Sequence, residues 1–382
     1  MNFSLTDEQR AIQATAREFA RGEIDPIVDE IDEAQRFPRE VMKKAGELGF
    51  LGILFPEEYG GAGLGYVEYV LVVTELSKID PSVGISVAAH NSLCTNHVYA
   101  CGDDAQRKKY VPKLASGEWI GAWSLTEPTA GSDAGGTKTS AKPDKDGGWI
   151  LNGSKTFTTH GSVSDLTIVF AVTDPGLDRR GISAFAIETG TPGFRAGKKE
   201  NKMGLRASDT AEVIMEDCRL PAEAMIGARG EGFVDAMKIL DGGRISIAAL
   251  ALGMARGAYD AALAYAKQRH QFGKPIAEFQ AIQHMLAEMA TRIDAASLLT
   301  YRAAWMKDHG KKTTLESSMA KLYASEIGVY VVDRALQIFG GYGYVKDFPA
   351  EKFYRDMKLC TIGEGTSEIQ RLVIARELLK AF

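Results

Sequence analysis

Cysteine is scarce in this chain, with four in 382 residues: Cys94, Cys101, Cys218 and Cys360. None forms a Cys-x-x-Cys pair and no histidine stands beside one at metal-ligand spacing, so buried thiols are expected and no metal site. The six histidines are scattered. No Gly-x-Ser-x-Gly elbow and no Walker A sequence occurs, which withdraws the usual support for a hydrolase or a nucleotide triphosphatase. The formal net charge of −5 gives no sign of a polyanion-binding surface, so no nucleic-acid partner is expected. No apolar run approaches a membrane span, and the N-terminal MNFSLTDEQRAIQ is polar and acidic, unlike a secretory signal or an Arg-rich transit peptide. The expectation is a cytoplasmic protein with no membrane partner.

What the chain does have is ordinary globular composition, 45% hydrophobic and 25% charged, over a length suited to two or three domains. The first third reads as helix. Thr6-Asp7-Glu8-Gln9 has capping-box spacing before an amphipathic run to about Gly22. Pro38 suits a helix first turn ahead of Glu40 to Leu48, Tyr66 to Ile79 is apolar at helical spacing, and Pro81 to Ala100 suits a buried helix. The middle reads as strand: Trp149 to Leu151, Lys155 to Thr159, Leu166 to Val172, Ile182 to Ile187 and Ala211 to Met215. Asn152-Gly153 between β-formers predicts a hairpin turn. Helix returns in Phe233 to Arg269, Phe279 to Lys307, Leu315 to Phe339 and Ser367 to Leu379, which suggests a bundle. The fold class is α+β, in helix–β–helix order: an N-terminal all-α domain (1–120), a middle β-barrel or sandwich domain (121–230) and a C-terminal four-helix bundle (231–382). The two helical parts are expected to share a core.

Near the end, Gly363-Glu364-Gly365 sets a carboxylate between two glycines. Glycine removes the Cβ bulk that keeps a substrate from the backbone, so Glu364 could meet a reacting C–H bond as a general base. A glycine turn carrying a solvated glutamate fits those three residues equally well.

The motifs around it resemble the acyl-CoA dehydrogenase family, in order over nearly the whole chain. Trp123-Ser124-Leu125-Thr126-Glu127-Pro128-Thr129-Ala130-Gly131-Ser132-Asp133 resembles the family's first signature. Gln337 to Tyr344 and Glu364 to Arg371 resemble its second, and Arg269-His270-Gln271-Phe272-Gly273-Lys274 its Arg-x-x-Phe-Gly element. The resemblance implies non-covalent FAD and a homotetramer built as a dimer of dimers. It also implies oxidation of an acyl-CoA thioester to the trans-2-enoyl-CoA, with electrons passing to an electron-transferring flavoprotein. In the family a base removes the α-proton while the β-hydrogen leaves as hydride to flavin N5. The thioester carbonyl is held by a flavin ribityl hydroxyl and the N–H of the catalytic glutamate, an oxyanion-hole arrangement. By resemblance the base is Glu364. The family's other base position, in a Glu-Arg pair on an earlier helix, reads Gly243-Arg244 here.

The resemblance also carries binding residues. Leu125 and Thr126 match the flavin pyrimidine edge, Ser132 a pyrophosphate contact and Thr159 the hydroxyl near N5; Phe157 stands where many members have Trp. Arg269, Gln271 and Phe272 match the segment that reaches a neighbouring subunit's FAD, and Gln337 and Gly341 match adenine-side contacts across the dimer. Thr366 and Glu368 match positions beside the AMP half, although Glu368 replaces an amide and its charge argues against a phosphate contact. Arg244 and Asp241 match positions near the CoA pantetheine. Gly363, with Gly365, lines the acyl side. Gly363 replaces a tyrosine of many short- and medium-chain members, which implies a pocket open to branched, cyclic or aryl-bearing acyl groups. Two enzymatic alternatives share the site, an oxidase-like and an enoyl-CoA-reducing relative. A flavin-free acyl-CoA-binding protein is a third reading.

Overall fold

The computed structural model describes residues 4–380. Helices α1 (Asp7–Phe19), α2 (Val28–Glu33), α3 (Arg39–Glu47), α4 (Tyr66–Ser77), α5 (Pro81–Ala89), α6 (Asn96–Cys101) and α7 (Asp104–Ala115) come first. The expected capping box starts α1: Thr6 Oγ1 accepts from the Gln9 N–H at 3.1 Å, and Gln9 Oε1 accepts from the Thr6 N–H at 3.0 Å. Pro81 lies past the end of α4 and opens α5 at its first position, with Asp80 as N-cap. Helix α5 is buried on every side, as its unbroken run of small and apolar residues requires.

The middle is one sheet built from β1 (Gly121–Ser124), β2 (Ser140–Pro143), β3 (Trp149–Thr159), β4 (Leu166–Val172), β5 (Ile182–Glu188), β6 (Phe194–Lys199), β7 (Thr210–Leu220) and β8 (Met225–Ile226). Its order is β6-β7-β3-β2-β4-β5-β8, with β1 parallel to β4. Asn152-Gly153 is not a hairpin turn. Strand β3 runs straight through it, and the register against β7 shifts between Leu151 and Gly153. The Asn152 side chain is used across the ladder, bonding the Asp217 N–H and carboxylate. Gly153, at φ +148°, passes so close to β2's approach that an added Cβ would lie 2.6 Å from Thr139 Oγ1. The Asn-Gly signal marks a β-bulge there, which inserts a residue without reversing the chain.

Helices α8 (Gly232–Gln268), α9 (Gln280–Asp308), α10 (Thr314–Phe339), α11 (Ala350–Met357) and α12 (Ser367–Lys380) complete the chain. The short α11 was not expected. Between α8 and α9 a small hairpin pairs β9 (His270–Gln271) with β10 (Lys274–Pro275). Helix α8 corrects one expectation: it is long and apolar enough to cross a membrane by length and composition, but 67% of that apolar window is buried inside the protein. One apolar cluster runs through both helical parts, with Phe19, Tyr69, Leu252, Val331 and Met357 in it, so they do share a core. Leu166, Ile168 and Phe170 of β4 pack instead on Val98, Tyr110 and Leu114 of the N-terminal helices. The remaining sheet edge and the bundle face each other across a cavity.

Candidate active site

Glu364 sits in the turn before α12 with φ +52°, followed by Gly365 at φ +91°. Two successive left-handed residues swing the chain sharply, and the first of them carries a side chain, a conformation non-glycine residues adopt at a cost of about 1–3 kcal/mol. The side chain is thereby aimed at α8. An ideal Cβ built at Gly243 would lie 2.0 Å from Glu364 Oε2 and 3.2 Å from Leu93 Cδ2. The glycine in α8 is therefore the space the carboxylate occupies.

Glu364 Oε2 is buried and has no hydrogen-bond partner among the described residues. Burial raises the carboxyl pKa to about 7, while the positive charges of Lys321 and Arg244 act the other way. Arg244 itself is buried and pairs with Asp241 one turn earlier in α8, leaving its Nε without a partner. Asp241 also accepts from the Thr314 hydroxyl at 2.6 Å. Those two residues are thus a structural ion pair and part of the cavity wall at once. The Glu364 backbone N–H makes no hydrogen bond among the described residues.

The opposite wall comes from the sheet. Lys155 of β3 is fully buried; its Nζ donates to Glu127 Oε1 at 2.7 Å and to the Leu125 carbonyl at 3.2 Å. Glu127 also accepts the Lys138 and Thr139 N–H groups, and the Thr156 N–H donates to the Thr126 carbonyl at 2.9 Å. The loop holding Leu125 and Thr126 is therefore tied from below at three successive residues. Phe157, at φ +55°, is 65% exposed, a large ring left bare on a cavity wall.

The cavity has a volume of about 1530 Å³, above the roughly 300–1,000 Å³ of a pocket for one small ligand. Leu125, Thr126, Ser132, Phe157, Thr159, Asp241, Arg244, Gly363, Glu364, Gly365 and Thr366 all line it. Its far end is cationic, with Lys312, Arg376 and Lys380 gathered around Glu377. Arg269, Gln271, Phe272, Gln337, Gly341 and Glu368 lie outside it and are exposed. Arg269 rests its guanidinium 5.4 Å from the Tyr342 ring centre, and Phe272, at the hairpin tip with φ +52°, is 93% exposed. Three cysteines are buried and Cys101 is partly so, as expected of inert thiols. Lys155, Lys321 and Gln370 are functional-region residues that sequence reasoning passed over. A lone lysine inside the apolar run Met319-Ala320-Lys321-Leu322 was the available signal for one of them.

The residues fit a flavin dinucleotide on an observation independent of family. The Thr126, Ser132 and Thr159 hydroxyls have no protein partner among the described residues, and they stand on one wall with the bare Phe157 ring. Donors without partners beside an exposed aromatic face match a ligand with a polar chain and a flat ring.

A helical domain, a β-domain and a helical bundle around one large cavity, with the unpartnered Glu364 carboxylate in its wall, are the architecture of a dehydrogenase. Models of the acyl-CoA dehydrogenase N-terminal, middle and C-terminal domains match residues 6–118, 122–218 and 230–379. The chain belongs to the acyl-CoA dehydrogenase family and is an oxidoreductase. It is 48% identical over 380 residues to a short-chain specific acyl-CoA dehydrogenase of Clostridium acetobutylicum, covering 100% of both chains. It is 47% identical to the acryloyl-CoA reductase (NADH) of Anaerotignum propionicum, covering 100% of this chain and 96% of that one. A solved chain from work on the electron transferring flavoprotein of Acidaminococcus fermentans is 49% identical with a TM-score of 0.98, and the match covers 100% of each.

Proposed function

We propose that the chain dehydrogenates a short acyl-CoA thioester between Cα and Cβ, with Glu364 as the base. The carrying observation is Glu364 Oε2, buried, unpartnered and seated in the notch at Gly243. An α-proton beside a thioester carbonyl is only weakly acidic, so the site must hold a base at contact distance and stabilise the developing enolate. Glu364 Oε2 takes the proton, and the Glu364 N–H, which makes no hydrogen bond among the described residues, donates to the thioester oxygen. FAD, held by Leu125, Thr126, Ser132, Phe157, Thr159 and Thr366, supplies the hydride acceptor when bound. Gln337, Gly341, Arg269, Gln271 and Phe272 serve the FAD of a second subunit in a homotetramer, which accounts for their exposed surface away from the cavity. Arg244 and Asp241 border the pantetheine path.

Gly363 adds substrate tolerance. The nearest atoms that a Cβ there would meet belong to Leu359, at an ordinary 3.6 Å, so the space beside the base admits a branched or cyclic acyl group. Electrons leave to an electron-transferring flavoprotein, as the setting of the Acidaminococcus neighbour suggests. The test is anaerobic titration of the yellow protein with butyryl-CoA, isobutyryl-CoA and a ring-bearing acyl-CoA. Bleaching by all three supports the reading, bleaching by butyryl-CoA alone removes the tolerance, and bleaching by none removes the function.

A second reading runs the same site toward enoyl-CoA reduction. It is favoured by the reductase name of one relative and by the Glu364 pKa of about 7, which leaves the carboxyl able to donate as well as accept near neutrality. Enoyl-CoA consumption with a reduced donor, compared with acyl-CoA consumption at the same pH, separates the two directions.

A further inference from the structure

Lys321 stands on α10, fully buried, and donates from Nζ to the Gly365 carbonyl at 2.7 Å. Among the described residues no carboxylate lies within ion-pair distance of it. A buried ammonium with no carboxylate partner is costly, so its position asks for a use. Gln370, buried in the first turn of α12, donates from Nε2 to the carbonyls of Glu364 at 3.2 Å and Gly365 at 3.0 Å. The two carbonyls of the two left-handed residues are thus held by side chains from two different helices. Those donors oppose relaxation of Glu364 toward the right-handed region that side chains prefer.

Four groups face the Glu364 carboxyl: Arg244 from α8, Lys321 from α10, Tyr69 from α4 and the Cys360 thiol ahead of the turn. Tyr69 and Cys360 are neutral, burial having pushed both upward. Arg244 is already paired with Asp241. Lys321 is the positive charge in this set that no carboxylate compensates.

We propose that Lys321 is a positioning residue for the base, fixing the Glu364–Gly365 turn through the Gly365 carbonyl and acting on the Glu364 carboxylate by its charge, with Gln370 as the second half of the clamp. The proposal rests on Glu364 being the base. Burial lowers the Lys321 pKa to about 8, so the ammonium is present at neutral pH. It favours the ionised form of Glu364, the form that can take a proton.

The experiment uses the full-length FAD-loaded enzyme and its Lys321→Met, Lys321→Arg, Gln370→Leu and Glu364→Gln variants. Turnover of butyryl-CoA is followed against pH, and amide hydrogen exchange is followed across 360–372. Lys321→Met is expected to move the acid limb of kcat upward by about one pH unit, lowering turnover below the limb about tenfold. Exchange across 363–369 should quicken in the same variant. Lys321→Arg should restore the limb. Should Lys321→Met fail to fold, Gln370→Leu carries the test of the clamp: faster exchange with the limb in place supports it, and unchanged exchange overturns it. The two readings fail separately. Near-normal turnover in Glu364→Gln removes the base assignment, whereas an unmoved limb in Lys321→Met with Glu364→Gln inactive removes the role of Lys321 alone.

Discussion

Two buried lysines stand behind opposite walls of the cavity, Lys155 beneath the Leu125–Thr126 loop and Lys321 behind the Glu364–Gly365 turn. Lys155 on the sheet side is tied to Glu127, and that carboxylate is itself tied to two backbone N–H groups. Lys321 on the bundle side meets one carbonyl. Burial lowers both to about 8, Lys155 against the attraction of Glu127 and Lys321 without any carboxylate in hydrogen-bond contact. The difference separates two uses of an expensive charge. A paired ammonium adds rigidity and little net field, so it suits a wall that must hold a cofactor still. An unpaired one leaves its field for a neighbouring group, so it suits a wall where a proton moves.

The sharpest way to break that contrast is Glu364→Gln. Turnover should fall about thousandfold, the size of a lost general base, while the protein keeps its yellow FAD. Lys155→Met comes next: it strands the Glu127 carboxylate and should cost about 3 kcal/mol of stability, read as a lower thermal midpoint, with the acid limb of turnover unmoved. A shift of that limb would erase the distinction between the two lysines. Gly243→Ala puts a methyl where Oε2 sits, displacing the base without removing it. Turnover should drop between about tenfold and a hundredfold with the fold intact, as a misplaced reacting group predicts.

The smallest effect is on the sheet side and is set by pH. Burial lowers His90 to about 3 and His97 to about 4, so both are neutral in the folded chain. His90 Nδ1 accepts the Gly121 N–H at 3.1 Å, a bond a protonated ring cannot make. Such groups stabilise the fold fully above the unfolded histidine value of about 6.5, and that stability is lost as pH falls toward the folded values. Each should cost about 1 kcal/mol at pH about 5.5, seen as a lower melting midpoint than at pH about 7.5. A flat midpoint over that range would place the acid sensitivity elsewhere.

Much of the architecture was readable from periodicity, because long apolar helices and alternating strands leave strong patterns. The capping box at Thr6 and the strands from Leu166 to Val172 and Ile182 to Ile187 are such cases. Asn152-Gly153 misled because a dipeptide that tolerates unusual backbone serves a bulge as well as a turn, and only the partner strand decides which. Glu364 was visible through its glycine neighbours, yet its left-handed backbone was not, since Gly365 alone could have carried the bend. Lys321 gave only the faint signal of a lone lysine in an apolar run. A lysine in an apolar helix stripe usually extends its ammonium to water, and nothing local to α10 says that the Gly365 carbonyl waits there instead.

The notch in α8 has a bearing on descent as well as on catalysis. The side-chain position at 243 and the carboxylate of Glu364 claim the same few ångströms, so a side chain at 243 displaces the carboxylate of Glu364. A lineage moving its base from one position to the other meets a carboxylate already seated in the space the new one needs. Drift at residue 243 is penalised through catalysis for as long as Glu364 stays.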